Sequence, residues 1–320
     1  MAGAEARPYI ATTIMNTLKF SIITPSFNQG RYLDETIRSV LDQGYHNLEY
    51  IVIDGGSSDD SVEIIKRYES RLAYWVSEPD RGQTHAINKG LARVTGDVVA
   101  YINSDDVYLP GAFDAVAARF RHEPQCEWLC GDTDLFWDDR RNTELVTTVI
   151  PKSAAHCLSW AYRAPQPGMF WRRALMGDGF DERWRYCFDH EFYVRLLLAG
   201  RRCEHLAQTV AGYRLHGSSK TVAEAIRFDE DFDAIAKIYE RRLEGSDRRW
   251  CAATRFLRQS YSASLTGDSR RASACLLRAL TIHPEGLLRR PFWGCARQLL
   301  LGARKTGRAG GAGAATASLL

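Results

Sequence analysis

The chain has 320 residues, 45% of them hydrophobic and 25% charged. This is the profile of an ordinary globular protein; it excludes a disordered, collagen-like or low-complexity chain, and the length suits one large domain with an appendage. The 42 basic and 39 acidic residues leave a net charge of +3, which gives no electrostatic case for a nucleic-acid partner.

No run approaches the ~20 apolar residues needed to cross a bilayer. The first twenty residues lack a basic region followed by a long apolar core, so they make a poor signal peptide. The eight cysteines form no regular framework, and a chain of this size does not depend on disulfide staples. Reduced, mostly buried cysteines and a cytoplasmic location are the simplest expectation. Cys126 and Cys130 are the only close pair, with no second pair at zinc-ligand spacing.

The first hundred residues alternate short β-rich runs with amphipathic segments. Phe20 to Thr24 predicts a buried strand, followed by a helix whose stripe is Leu33, Ile37, Val40 and Leu41. Glu49 to Asp54 predicts a second strand, and Val62, Ile65 and Tyr68 mark a second helix. A third strand is expected from Ala73 to Ser77, a third helix stripe at Ile87, Leu91 and Val94, and a fourth strand from Asp97 to Ile102. Repeated β-α-β units imply an α/β fold, a Rossmann-like, mostly parallel sheet with helices on both faces. Beyond it a helix is expected from Pro110 to about Arg121, short strands near 126–131 and 145–150, a helix from Phe188 to Ala199 and a strand from Thr209 to Leu215. After residue 222 the pattern is helical only, ending in a Gly/Ala-rich stretch that reads as disordered.

Ligands bind such sheets outside the carboxyl ends of the strands. Each predicted strand end carries a polar, turn-rich cluster: Thr24-Pro-Ser-Phe-Asn28, Asp54-Gly-Gly-Ser-Ser-Asp-Asp60, Glu78-Pro-Asp-Arg-Gly-Gln83 and Asn103-Ser-Asp-Asp106. One such loop is weak evidence, because turns favour these residues; four converging on one edge suggest a nucleotide-diphosphate site. Asp54 could accept a hydrogen bond from a base or ribose, or simply cap its turn. Gly55 and Gly56 would let a planar base approach the backbone. Asp105 and Asp106 present hard oxygen ligands suited to Mg²⁺ or Mn²⁺ with substrate phosphates, or cap the following helix. The chain has neither a dinucleotide fingerprint nor a P-loop.

Taken together these residues resemble the family 2 glycosyltransferases, which have the glycosyltransferase-A fold. The matching stretches are TPSFNQGRYLDETIRSVLDQ, YIVIDGGSSDDSVEII, SEPDRGQTHAINKGLARVTGDVVAYINSDDVYLPGA, APQPGMFWRR, FDERWRYCFDHEFYVRLLLAG and YRLHGSSKT, within about 19–221. The resemblance implies a nucleotide pocket at Pro25, Ser26, Asn28, Asp54 and Gly55. It implies a donor-sugar and diphosphate segment from Arg81 to Lys89, including Gln83 and Asn88. Asn103-Ser104-Asp105 stands at the family's D-x-D position, with Asn in place of the first Asp. That leaves Asp105 as the metal ligand, Asp106 supporting it, and His216 near metal and diphosphate. Asp189 matches the Asp of the family's E-D motif, the catalytic base, although Phe188 replaces the preceding Glu; Asp189 could otherwise cap its helix. His85 stands where many relatives carry Asp. Gln166, Trp171 and His190 fall on the implied acceptor side, and Trp171, Trp184 and Tyr186 suit either sugar stacking or the core.

The function thus expected is inverting, Mn²⁺- or Mg²⁺-dependent transfer from a nucleotide-diphosphate sugar, UDP-sugars favoured, to a glycan, lipid-linked or small-molecule hydroxyl, in surface polysaccharide or glycoconjugate synthesis. The alternative is a non-catalytic nucleotide-sugar or glycan-binding protein on the same fold. The expected division is an N-terminal extension (1–18), a catalytic domain (19–221), a helical region (222–305) and a disordered tail (306–320). Six basic residues against one acidic between Glu285 and Arg308 suit a helix lying on the inner face of an anionic membrane, or, as the preferred reading, one packed on the domain with a solvated basic face.

Overall fold

The computed structural model describes residues 18–138, 143–159, 161–217, 219–220, 225–288 and 293. The N-terminal extension, the Gly/Ala-rich tail and most of the basic stretch 285–308 lie outside the described residues.

Nine strands form one mixed sheet in the order β3-β2-β1-β4-β8-β6-β9-β5, with β7 paired to β6. The strands β1 (Phe20–Ser26), β2 (Leu48–Asp54), β3 (Tyr74–Ser77) and β4 (Val98–Tyr101) pair in parallel, with Ser26 opposite Asp54, Asp54 opposite Ser77 and Ile23 opposite Tyr101. This register brings the four strand ends to one edge. β1 is buried along its whole length, as near-continuous apolar runs in a parallel sheet require.

The parallel half stops at β4. Its next neighbour, β8 (Met169–Arg172), is antiparallel, and β6 (Trp128–Trp137) pairs antiparallel with both β8 and β7 (Thr143–Val146). The long strand β9 (Cys203–Leu215) runs parallel to β6 and antiparallel to the short β5 (Val107–Tyr108). The sheet is therefore mixed rather than mostly parallel: β1 to β4 form one parallel block, β6 and β9 form a second parallel pair, and β8, β7 and β5 join them antiparallel.

Side chains alternate between two cores, as the strand period dictates. On one face Phe20, Ile22, Val52 and Val98 pack against Leu33 and Ile37 of α1 (Gly30–Leu41), Ile64 and Ile65 of α2 (Ser61–Arg67), and Phe113 and Val116 of α4 (Ala112–His122). On the other, Ile23, Ile51 and Trp171 meet Ala86 and Ile87 of α3 (Gln83–Leu91) and Phe192 and Tyr193 of α6 (Phe188–Leu198). α5 (Ala154–Leu158) adds Cys157 to this core. So does the C-terminal helical region: Ile235 and Ala236 of α7 (Ala225–Tyr239) and Cys251 of α8 (Gly245–Leu265). α8 then packs on α9 (Ser269–Ile282) through Ala253, Leu257 and Ala279.

Seven cysteines are free and buried; Cys295 lies outside the described residues. Among the described residues, no helix is long and apolar enough to cross a membrane.

Candidate functional site

A cavity of about 870 Å³ opens at the aligned strand ends, within the 300–1,000 Å³ range usual for small-molecule and cofactor sites. Pro25 and Ser26 at the end of β1 with Phe27, Gly55 after β2, Asp80 to Gln83 at the start of α3, and Asn103 to Asp106 after β4 line one end. Gln166, Asp189 and His190 continue the wall.

The loops are braced against one another. The Gly55 N–H donates to the Ser26 carbonyl at 2.8 Å. A Cβ on Gly55 would fall 2.7 Å from an Asp80 oxygen and 3.3 Å from the Phe27 ring, so glycine permits this close approach. Gln83 links two other loops, donating to the Asn103 Oδ1 at 2.6 Å and accepting from Lys220 Nζ at 2.8 Å. Arg81 pairs with Glu182, its Nη2 2.6 Å from the carboxylate, and its backbone N–H donates to His85 Nδ1 at 3.2 Å. His85 is thus a turn brace. Phe27 is 60% exposed at the rim.

Among the described residues, three buried polar atoms on the cavity's lining residues have no hydrogen-bond partner: Ser26 Oγ, Gln166 Oε1 and Tyr193 Oη. Buried polar groups are normally satisfied, so these suit a polar ligand or water.

Asp105 and His216 come together across two loops. β5 pairs with β9 through Val107 and Gly212, which brings the Asn103–Asp106 loop beside the end of β9. There His216 Nε2 lies 3.0 Å from Asp105 Oδ2, and the imidazole packs on Tyr32 with centroids 4.6 Å apart. Asp105 lines the cavity.

Asp106, the expected supporting metal ligand, is engaged within the protein. It is 1% exposed and accepts hydrogen bonds from the Arg214 N–H at 2.9 Å and Asn103 Nδ2 at 3.3 Å. Burial, then the neighbouring Asp105, hold its carboxyl well above the usual range. These hydrogen bonds lock the loop to β9. Among the described residues no three His, Cys, Asp or Glu side chains gather at metal-holding spacing. The donor set of one carboxylate and one imidazole nevertheless fits a Mn²⁺ or Mg²⁺ ion that takes its remaining ligands from phosphates and water.

Four other expected residues are not among those lining the cavity. Asp54 is fully buried, and its carboxylate accepts from the Gly56 and Ser57 N–H groups and from the Ser57 and Ser77 hydroxyls, at 2.5–3.1 Å. It therefore shapes the turn. Asn28, at φ 52° the only non-glycine at positive φ among the described residues, accepts from the Ser58 N–H at 2.8 Å and ties the first two loops together. Asn88 clamps the 180–182 turn through the Phe180 carbonyl and N–H at 2.8 and 3.0 Å. Trp171 is fully buried among Tyr101, Phe180, Phe192 and Tyr193, so core packing replaces the expected acceptor contact.

Asp189 faces the cavity from the first turn of α6. Its Oδ1 accepts from the His190 N–H at 2.8 Å, and among the described residues it has no salt bridge. Burial raises its carboxyl to about 6, against the opposing pull of that backbone N–H. The helix is capped by Cys187 without a side-chain hydrogen bond, so Asp189 is not the cap. His190 also lines the cavity, but its ring is buried: Nδ1 meets Tyr162 Oη at 2.9 Å, and Phe232 packs edge-on at 4.6 Å. Burial, then Arg258, lower its pKa to about 3, so it is a neutral brace. Gln166 donates to the Tyr101 carbonyl at 2.8 Å.

Sequence reading missed Tyr162, Arg163, Arg185, Phe228 and Phe232, which complete the far end of the cavity. Phe228, Phe232, Ile235 and Ala236 fall at helical spacing in α7, and that stripe was the available signal.

The family model for glycosyl transferase family 2 matches residues 21–176. An uncharacterised glycosyltransferase of Mycobacterium tuberculosis (strain CDC 1551 / Oshkosh) is 36% identical over 184 residues, covering 56% of this chain and 68% of the relative. Among solved structures, S. aureus TarS 1-349 in complex with UDP-GlcNAc superposes with a TM-score of 0.62 at 20% identity, covering 88% of each chain. The mannosyltransferase PcManGT from Pyrobaculum calidifontis, in complex with GDP-Man and Mn²⁺, superposes with a TM-score of 0.58 at 17% identity, covering 88% of this chain and 84% of that one. These two likenesses show the fold, and the sequence matches show the kinship: the chain belongs to glycosyl transferase family 2.

Proposed function

We propose that the protein transfers a sugar from a nucleoside-diphosphate donor to a hydroxyl acceptor with inversion at the anomeric carbon. The observation that carries this is one continuous cavity running from the strand-end loops to Asp189. The base and ribose lie against Pro25, Ser26 and Phe27, where Gly55 leaves room. The diphosphate lies towards Arg81, Gln83 and the Asn103–Asp105 loop. Asp105 and His216 would hold Mn²⁺ or Mg²⁺, which when bound offsets the charge of the diphosphate leaving group.

Asp189 removes the acceptor proton. The acceptor oxygen forms a bond to the anomeric carbon as the bond to the diphosphate oxygen breaks. The proton passes to the Asp189 carboxylate, and the nucleoside diphosphate leaves with the bonding pair. A carboxyl near 6 is ionised at neutral pH yet basic enough for the task. This unpaired carboxylate supports catalysis over the alternative of a binding protein. UDP-sugars are the favoured donors, and the TarS complex supports that choice. Surface polysaccharide or glycoconjugate chains are the proposed acceptors.

The test is a panel of UDP-, GDP- and dTDP-sugars with Mn²⁺, scored by thermal stabilisation and by release of nucleoside diphosphate. One donor class should do both. Absence of both for every donor contradicts the proposal.

A further inference from the structure

The two ends of the cavity differ in chemistry. Beyond Asp189 the wall is aromatic: Tyr162, Tyr186, Phe228 and Phe232. These rings are held in place. Tyr186 packs on Phe228 at 5.2 Å and accepts a hydrogen bond from Arg227 at 2.9 Å, while Tyr162 and Phe232 both pack against the His190 ring. Three of the four rings lie outside the family-matched segment 21–176. Rigid aromatic faces of this kind suit the C–H face of a pyranose.

Arg163 and Arg185 line the same end and are exposed. Neighbouring arginines are occupied: Arg81 by Glu182, Arg214 by Glu35 and Arg195 by Glu191. Among the described residues, Arg163 and Arg185 have no hydrogen bond or ion pair through their guanidinium groups. The Arg163 backbone is nevertheless fixed, exchanging both hydrogen bonds with Val149 at 2.7 and 2.8 Å. A planar guanidinium left open on a fixed backbone is suited to bidentate recognition of a carboxylate or phosphate.

We propose that Tyr162, Tyr186, Phe228 and Phe232, with Arg163 and Arg185, form an acceptor subsite for a sugar that carries an anionic group. This rests on the glycosyl-transfer reading above and adds the acceptor class. The aromatic wall takes the ring, and the two arginines take the anion at a distance from the donor diphosphate.

The test titrates glucose, glucuronic acid and glucose 6-phosphate against the full chain, followed by ligand-observed NMR. UDP and Mn²⁺ are present at saturation to fill the donor end, and the series is repeated without them. The charged sugars should bind at least ten-fold more tightly than glucose. The Arg163→Ala/Arg185→Ala double variant should bind all three alike, while its stabilisation by UDP is unchanged; Arg163→Lys/Arg185→Lys should keep part of the preference. A lead for glucose 6-phosphate over glucuronic acid identifies phosphate as the anion, and the reverse identifies carboxylate. Equal binding of the three sugars by the unmodified protein, or a preference that survives the Ala substitutions, overturns the proposal. Failure of UDP to stabilise the unmodified protein counts against the nucleotide-sugar reading alone, because the series without UDP still reports on the arginines.

Discussion

His216 Nε2 sits 3.0 Å from Asp105 Oδ2, although the two residues are 111 positions apart. The β5–β9 pairing creates this contact, and Asp106 secures it through the Arg214 N–H. In the proposed reaction the pair would be the protein's share of a cation site, with Asp105 the principal ligand. Asp105→Ala should therefore abolish the Mn²⁺-dependent part of stabilisation by nucleoside diphosphate and lower transfer about 10²–10⁴-fold. His216→Ala should raise the Mn²⁺ concentration for half-maximal rate about 10–100-fold. Metal titrations of both variants check this; unchanged metal dependence in Asp105→Ala contradicts it.

The pH profile reports on Asp189. Its carboxyl lies at about 6, above the ordinary carboxylate range, because burial penalises the charged form. A base must be ionised to act, so kcat/KM should fall about ten-fold per pH unit below 6 and level off above it. Asp189→Asn should lower kcat about 10²–10⁴-fold and leave nucleotide-dependent stabilisation intact. A flat profile between pH 5 and 8 sinks the assignment.

Trp171 separates packing from recognition. Trp171→Ala should cost about 3–5 kcal/mol of stability, the range for large aromatic truncations in a core. Trp171→Phe should largely preserve the fold and leave the acceptor KM within about two-fold, since the side chain does not reach the cavity. Denaturant titration and acceptor kinetics together decide it. A selective rise in acceptor KM for Trp171→Phe would restore the acceptor role.

Glu49 ties β2 to the start of β1. It accepts hydrogen bonds from Lys19, Ser21 and Thr95. Burial alone would raise its carboxyl, but these donors outweigh burial and hold it at about 2, against an ordinary 4.5. The folded pKa is depressed, so its stabilising contribution is complete above pH 4.5 and is lost as pH falls towards 2. Glu49→Gln should cost about 1.5–3 kcal/mol at pH 7, with the gap closing in that acid window. Paired denaturation curves from pH 3 to 7 measure it, and a pH-independent gap contradicts the linkage.

The parallel half of the sheet was legible because β1, β2 and β4 are near-continuous apolar runs followed by polar turns. The other half was legible only in part: strands were expected where β6, β7 and β9 lie, but β8 and β5 were not. Met169 to Arg172 is a short buried strand next to a Pro-Gly turn, with no alternation to mark it. β9 begins at Cys203, earlier than the expected Thr209, because its polar first half is held by β6. At the site, residue type identified the loops but not the direction of each side chain. Asp54 and Asn88 have the chemistry of ligands, yet spend it on the loops around them. Phe228 and Phe232 reach the cavity only because α7 packs beside α6, a long-range arrangement that local spacing does not encode.

Transfer by the full chain, compared with Asp189→Asn, tests the central claim most directly. With the donor that stabilises the protein, Mn²⁺ and an acceptor, the account predicts metal-dependent release of nucleoside diphosphate and a glycoside of inverted configuration by NMR. It predicts loss of turnover in Asp189→Asn with donor stabilisation unchanged. A product with retained configuration, or an Asp189→Asn variant that turns over like the unmodified protein, would contradict it.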